Sequence, residues 1–194
     1  MLVSILNVWL MVAAFASATS LDACLSLTGA TLIYRGNTSA YADLSTPAVL
    51  GFDYHPAVLV LPTSAQQVAR TVKCVGAEKG RSKLTIVGGG HNYVGYSYSG
   101  DVVILSNNMT DITFDDTKKQ VSVQFGQKLG PLAKALAAKG YGLPHGLCPS
   151  VGVAGHSLGG GWGFTGRHWG WLVDHSMQCF DLHVIMLVLT TCLG

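Results

Sequence analysis

Charge is what this sequence has least of. Asp, Glu, Lys and Arg together make up 11% of 194 residues, against roughly 25% in an average soluble domain. That scarcity, beside 49% apolar residues and a mean hydropathy of +0.38, excludes a disordered, highly charged chain. The net charge is +2 and no basic cluster occurs, so a surface that tracks nucleic-acid phosphates is excluded as well. Metal motifs are also lacking. Seven histidines and five cysteines are present, yet there is no H-E-x-x-H, no C-x-x-C and no tight histidine pair, and no metal site is expected. No G-x-x-x-x-G-K-[ST] loop exists. The stretch Gly161–Gly166 does satisfy G-x-G-x-x-G. It follows no apolar strand and no acidic residue stands about twenty positions on, so the dinucleotide fingerprint is rejected.

Glycine is abundant instead, at 24 residues, and it is clustered. Residues 2–18 are almost all apolar and end in small residues before polarity rises at Thr19 and Asp22. They read as a secretory signal peptide, although the n-region lacks Lys and Arg. A buried or membrane helix competes with that reading, but the run is short of the ~20 residues a span requires. Sequons at Asn37 and Asn108 fit secretion. The odd cysteine count, Cys24, Cys74, Cys148, Cys179 and Cys192, leaves at least one thiol with another fate in an oxidising compartment.

The rest of the chain mixes helices and strands without strict alternation, which makes the class α+β. A short helix is expected over 20–27, extended segments and loops over 28–52, and a buried strand within 56–62. A helix over 64–79 is opened by a Ser64/Gln67 capping box and stopped at Gly80. Strands are expected at 84–87, 102–105, 112–114 and 121–125. A helix over 131–139 has Pro131 in its first turn and Gly140 past its end. Residues 140–170 show neither period, and the apolar stretch 177–189 reads as a strand. Two glycine clusters carry the functional argument. Gly88, Gly89 and Gly90 directly follow a strand, where consecutive N–H groups make an anion-binding concavity. A second cluster runs from Gly152 to Gly163. Each alone fits a tight turn; together they suggest backbone wrapped around something large and flat.

Four segments then carry a family resemblance: PAVLVLPTSAQQVARTVKC from Pro56 to Cys74, TIVGGGHNY from Thr85 to Tyr93, VSVQFGQKLG from Val121 to Gly130, and GLPHGLCPSVGVAGHSLGGGWG from Gly142 to Gly163. In order and spacing the chain resembles the PCMH-type FAD-binding domain of the berberine bridge enzyme-like and glucooligosaccharide oxidase-like flavoproteins, in the vanillyl-alcohol oxidase superfamily. The resemblance implies a domain of two small α/β subdomains over residues 55–181, after a signal peptide (1–18) and an N-terminal segment (19–54). It implies FAD held bicovalently, His91 bonding the flavin 8α carbon and Cys148 bonding C6, with the leftover thiol thus explained. Val87, Gly88, Gly89, Gly90, Asn92, Gly146, Val151, Gly152, Gly155, His156, Gly159 and Gly160 are implied as further cofactor-binding residues. Cys24 is implied to pair with Cys74. No general base is assigned; in relatives it lies in a second, substrate-binding domain.

That second domain is not expected here. The resemblance fades after Asp181, and the apolar tail 182–194 stands where the family has a polar turn and a further strand, as in a shortened chain. The leading expectation is the FAD-binding portion of a secreted oxidoreductase that oxidises a sugar or alcohol with dioxygen. Its partners would be FAD and a small-molecule substrate, with no nucleic acid, and no membrane once the signal is removed. An inactive flavin-binding fragment and a colourless secreted module compete with it.

Overall fold

The computed structural model describes residues 20–36, 38–180, 184–188 and 190–191. The stretch 1–18, expected as a signal peptide, Asn37 and Cys192 lie outside the described residues, as does the side chain of Cys179.

The first sheet is built on two strands with no polar face. β2 (Val58–Leu61) and β4 (Val102–Leu105) are buried along their whole length, as apolar runs covered on both sides must be. They pair in parallel, β3 (Leu84–Val87) extends β4 in parallel, and β1 (Thr31–Tyr34) closes the other edge antiparallel to β2, in the order β1-β2-β4-β3. Alternate residues divide between two cores. Val58, Val60, Val102 and Ile104 meet α1 (Leu21–Ser26) and α3 (Ala65–Ala77) through Leu25, Val68 and Val75. Leu59, Leu61, Val103 and Leu105 pack with Tyr41, Val87 and Tyr98 on the opposite face.

α3 is amphipathic as its sequence spacing requires, with Val68, Thr71, Cys74 and Val75 buried. Ser64 caps it by accepting from the Gln67 N–H at 3.4 Å. The reciprocal half of the expected capping box is displaced by one residue. Gln67 Oε1 accepts from the Thr63 N–H at 2.7 Å, while its amide donates to the Gly29 carbonyl at 2.9 Å. The side chain therefore ties the α1–β1 connection to the helix start. A Cys24–Cys74 disulfide joins α1 to α3 across 50 residues, the pairing the resemblance implied. Replacing both cysteines by alanine is expected to lower unfolding free energy by about 2–4 kcal/mol, the usual value for a loop of this size. Urea unfolding of the variant against the parent chain measures it; an unchanged midpoint contradicts it.

The second sheet is antiparallel, in the order β5-β6-β9-β8: β5 (Ile112–Asp115), β6 (Gln120–Gln124), β9 (Val184–Val188) and β8 (Ser176–Phe180). Val121 and Val123 of β6 face a core completed by Leu129, Leu132 and Leu136 of α4 (Leu129–Ala137), Val153 of α5 (Val153–Leu158), Leu143 and Leu172. A two-residue strand β7 (Tyr141–Gly142) pairs with β10 (Thr190–Thr191), and α6 (Gly166–Trp169) lies between α5 and β8.

Three expectations are corrected. Residues 28–52 are not only extended: Thr38–Ser45 forms a helix, α2. The stretch 177–189 holds two strands, β8 and β9, because a single strand of that length would overrun neighbours of four or five residues. The helix expected from Pro131 begins at Leu129. Three cores on two sheets, two on the faces of the first and one on the second, give the α+β class and the two small subdomains expected.

Candidate functional site

β3 ends at the buried Val87, whose carbonyl accepts from the Ser106 hydroxyl at 2.8 Å. The chain then enters Gly88–Asn92. A second loop, His145–Gly152, leads from β7 into α5. The two loops meet backbone to backbone. A Cβ on Gly89 would collide with the Gly152 nitrogen and lie 3.0 Å from the Ser150 carbonyl oxygen; a Cβ on Gly152 would lie 2.5 Å from the Gly89 nitrogen. Only glycine at both positions permits this approach. Gly90 adds a left-handed φ of +72°.

The second loop is fastened from beneath. The Leu129 N–H donates to the Val151 carbonyl, the Gly130 N–H to the Pro149 carbonyl and the Val153 N–H to the Gln127 carbonyl, each at 2.9 Å. The segment between β6 and α4 thus braces the Cys148 loop, which gives a physical role to the FGQKLG stretch.

Side chains join the loops at their exposed rim. His91 Nε2 lies 2.9 Å from Ser150 Oγ, and Ser150 stands two residues after Cys148, an exposed free thiol. His91 and Cys148, 57 residues apart in sequence, are therefore carried on one pair of contacting loops. The backbone N–H groups of Gly89, Gly90 and His91 donate to no protein acceptor among the described residues. Beneath them Lys128 Nζ donates to the Gly88 carbonyl. Lys128 is half-buried, and burial lowers its pKa, since desolvation disfavours the ammonium. It has no carboxylate partner among the described residues.

The remaining expected residues are placed as follows. Asn92 Oδ1 accepts from the Val94 and Tyr96 N–H groups at 3.1 and 3.2 Å, so its side chain closes its own turn. The Gly146 N–H donates to His156 Nε2 at 2.9 Å. Val151 packs against the core of the second sheet. A Cβ at Gly155 would meet open space. Gly159 and Gly160 end α5, and Gly160 lies against the Trp171 ring. Asn108 is exposed at the end of a single 3-10 turn, Ser106–Asn108. Sequence reasoning did not single out Lys128, Gln127, Ser150 or Ser106. Lys128, Gln127 and Ser150 lie within the quoted segments, which was the one hint of them; Ser106 lies outside all four.

His156 makes a pH prediction. Burial, and secondarily the neighbouring His145, lower its pKa below 6.5, and its Nε2 must stay unprotonated to accept from Gly146. The unfolded chain takes up a proton near 6.5 that the folded chain resists. This contribution to stability is therefore complete above pH 6.5 and is lost as pH falls below it. Urea midpoints at pH 7.5 and 5.5 should differ more in the parent chain than in His156→Gln. Equal slopes contradict the assignment.

Residues 56–180 match the sequence model of a family described as FAD binding domain. The chain belongs to that family. Glucooligosaccharide oxidase of Sarocladium strictum is 33% identical over 175 residues, which are 86% of this chain and 34% of that protein. Berberine bridge enzyme-like 5 of Arabidopsis thaliana is 40% identical over 122 residues, 60% of this chain and 23% of the relative. Wild-type BBE-like 1 of Physcomitrella patens superposes with a TM-score of 0.80 at 29% identity, covering 89% of this chain and 45% of that one. The chain spans about a third or less of the length of these curated relatives.

The described residues of this FAD-binding domain fit the cofactor. Unpartnered N–H groups at Gly89, Gly90 and His91, with a half-buried ammonium beneath them, suit a diphosphate. An imidazole and a free thiol on the adjoining rim suit an electrophilic ring.

Proposed function

We propose that this chain is the flavin-holding portion of a secreted oxidoreductase that oxidises a sugar or alcohol, with FAD joined to both His91 and Cys148 and dioxygen as acceptor. One observation carries the reading: the backbone contact of Gly89 with Gly152 brings the loop of the free thiol Cys148 against the loop of His91.

FAD, when bound, supplies a two-electron acceptor for a carbon bearing a hydroxyl. The chain's own residues hold and orient it. Gly89, Gly90 and His91 offer N–H groups to its diphosphate, and Lys128 supplies the compensating charge. His91, through a ring nitrogen, and Cys148, as the thiolate, supply two anchoring points. Two anchors on loops braced by α4 leave little freedom of rotation, which is the orienting part of catalysis. The base that takes the hydroxyl proton is not among the residues assigned here. The relatives' names, glucooligosaccharide oxidase, xylooligosaccharide oxidase and carbohydrate oxidase, support a sugar as substrate. Secretion is supported by residues 1–18, by the disulfide and by an exposed sequon at Asn108. No helix among the described residues is long and apolar enough to cross a membrane.

The test is chemical. The full chain purified from a secreting host should be yellow, and acid precipitation should carry the colour into the pellet. A colourless chain, or colour left in the supernatant, overturns the bicovalent reading.

A further inference from the structure

We infer that Ser150 is a positioning residue that sets the tautomer and heading of the His91 imidazole, keeping the proton on Nε2 and leaving Nδ1 as the bare lone pair that forms the cofactor link. This rests on the reading of His91 as an attachment point.

A neutral imidazole carries one proton, and its two nitrogens are then a donor and an acceptor. Only the nitrogen without the proton is a nucleophile. Which one that is depends on the hydrogen bond made by the other. In His91 the engaged nitrogen is Nε2, 2.9 Å from Ser150 Oγ, and no other side-chain bond to the ring occurs among the described residues. Nδ1 is thereby free. With Nε2 donating, the Ser150 hydroxyl accepts, and its own proton turns to solvent at little cost because Ser150 is exposed. With the reverse arrangement the proton would sit on Nδ1, and the free edge of the ring would present an N–H with no nucleophilic lone pair.

The contact is held by the backbone. The Ser150 carbonyl lies where a Cβ on Gly89 would crowd it, and the neighbouring Val151 N–H donates to the Cys148 carbonyl at 3.2 Å. The Pro149 and Val151 carbonyls on either side of Ser150 both accept from the start of α4. A hydroxyl fixed in this way orients a ring that arrives from another loop. No local sequence signal marks Ser150 for this; it lies 59 residues from His91.

The link balances as follows. The Nδ1 lone pair forms the bond to the 8α carbon. That carbon gives up one proton and Nε2 gives up the other. The two electrons pass into the isoalloxazine and from there to dioxygen, which takes up both protons as hydrogen peroxide.

The test uses the full chain in a Cys148→Ala background, where His91 is the single anchor. Chain prepared without flavin is mixed with FAD in air, and acid-stable flavin is followed with time. Ser150→Ala should form the link about tenfold more slowly, the consequence of losing one orienting hydrogen bond, and Ser150→Thr should restore the rate to within about twofold. Nitrogen NMR of the flavin-free chain should show His91 protonated at Nε2, and this preference should weaken in Ser150→Ala whatever that variant's stability. An unchanged rate in Ser150→Ala, or a proton on Nδ1 in the Ser150 chain, overturns the inference alone. No acid-stable flavin in the Cys148→Ala chain overturns the attachment reading, and the inference with it.

Discussion

A chain carrying both His91→Ala and Cys148→Ala is expected to lose all of its flavin in acid, while each single variant keeps it. The two anchors are chemically independent. One is a ring nitrogen and the other a sulfur, and either bond alone survives denaturation. The expected pattern is therefore retention, retention and complete loss, not a graded decline. In native buffer the double variant should still take up FAD, because the N–H groups of Gly89, Gly90 and residue 91, and Lys128 beneath them, are backbone or distant side-chain features that the substitutions leave in place. Absorbance of pellet and supernatant after acid precipitation reads both results. Colour that stays with the double variant's pellet means that another side chain holds the flavin. Colour lost from one single variant means that only one anchor exists.

Gly89→Ala is expected to have a large structural effect at the site. The new Cβ would meet the Gly152 nitrogen, the Ser150 carbonyl oxygen and the Val151 carbonyl carbon. All are main-chain atoms, so no flexible side chain can move aside. The loops must part, and parting them breaks the rim that carries His91 and Cys148. The cost should reach about 3 kcal/mol, the upper end of ordinary overpacking, with FAD affinity lower by about 100-fold. Gly76→Ala is the internal control. Gly76 is an exposed position of α3 with open space at its Cβ, and alanine there should stabilise the helix by about 0.5–1 kcal/mol. Urea unfolding and FAD titration of the two variants measure the contrast. Equal stability of Gly89→Ala and the parent chain contradicts the backbone contact.

The parts of this fold that were legible in the sequence are those set by local pattern. The Val58–Leu61 and Val102–Leu105 runs announce strands buried on both faces. The stripe of Val68, Val72 and Val75 announces α3. α2 was missed because Thr38–Ser45 carries almost no apolar stripe. Its buried Tyr41 is held by a bond from its hydroxyl to the Pro56 carbonyl at 2.7 Å, a tertiary contact with no trace in local spacing. α5 was missed for a related reason. It has six residues, one of them Gly155, and its place is fixed by bonds to the segment preceding α4.

The candidate site divides the same way. Two glycine clusters were visible, as were a histidine beside one and a cysteine near the other. That Gly89 faces Gly152 was not visible, because a contact across 63 residues leaves no periodicity. Lys128 and Ser150 were passed over because each acts on the opposite loop. A lysine between a strand and a helix, or a serine after a proline, reads as ordinary surface until the fold brings Gly88 and His91 beside them. Asn92 shows the converse. Its place in the TIVGGGHNY segment implied a ligand contact, and the structure adds a local role that the segment did not show, Oδ1 closing its own turn.

The most direct measurement is a tryptic digest of the denatured, purified chain, separated by following flavin absorbance. Cleavage after Lys83, Lys118, Lys139 and Arg167 should give one flavin-bearing species in which residues 84–118 and 140–167 are joined through a single isoalloxazine. Flavin on neither peptide, or on two separate species, would contradict attachment of one ring to both His91 and Cys148.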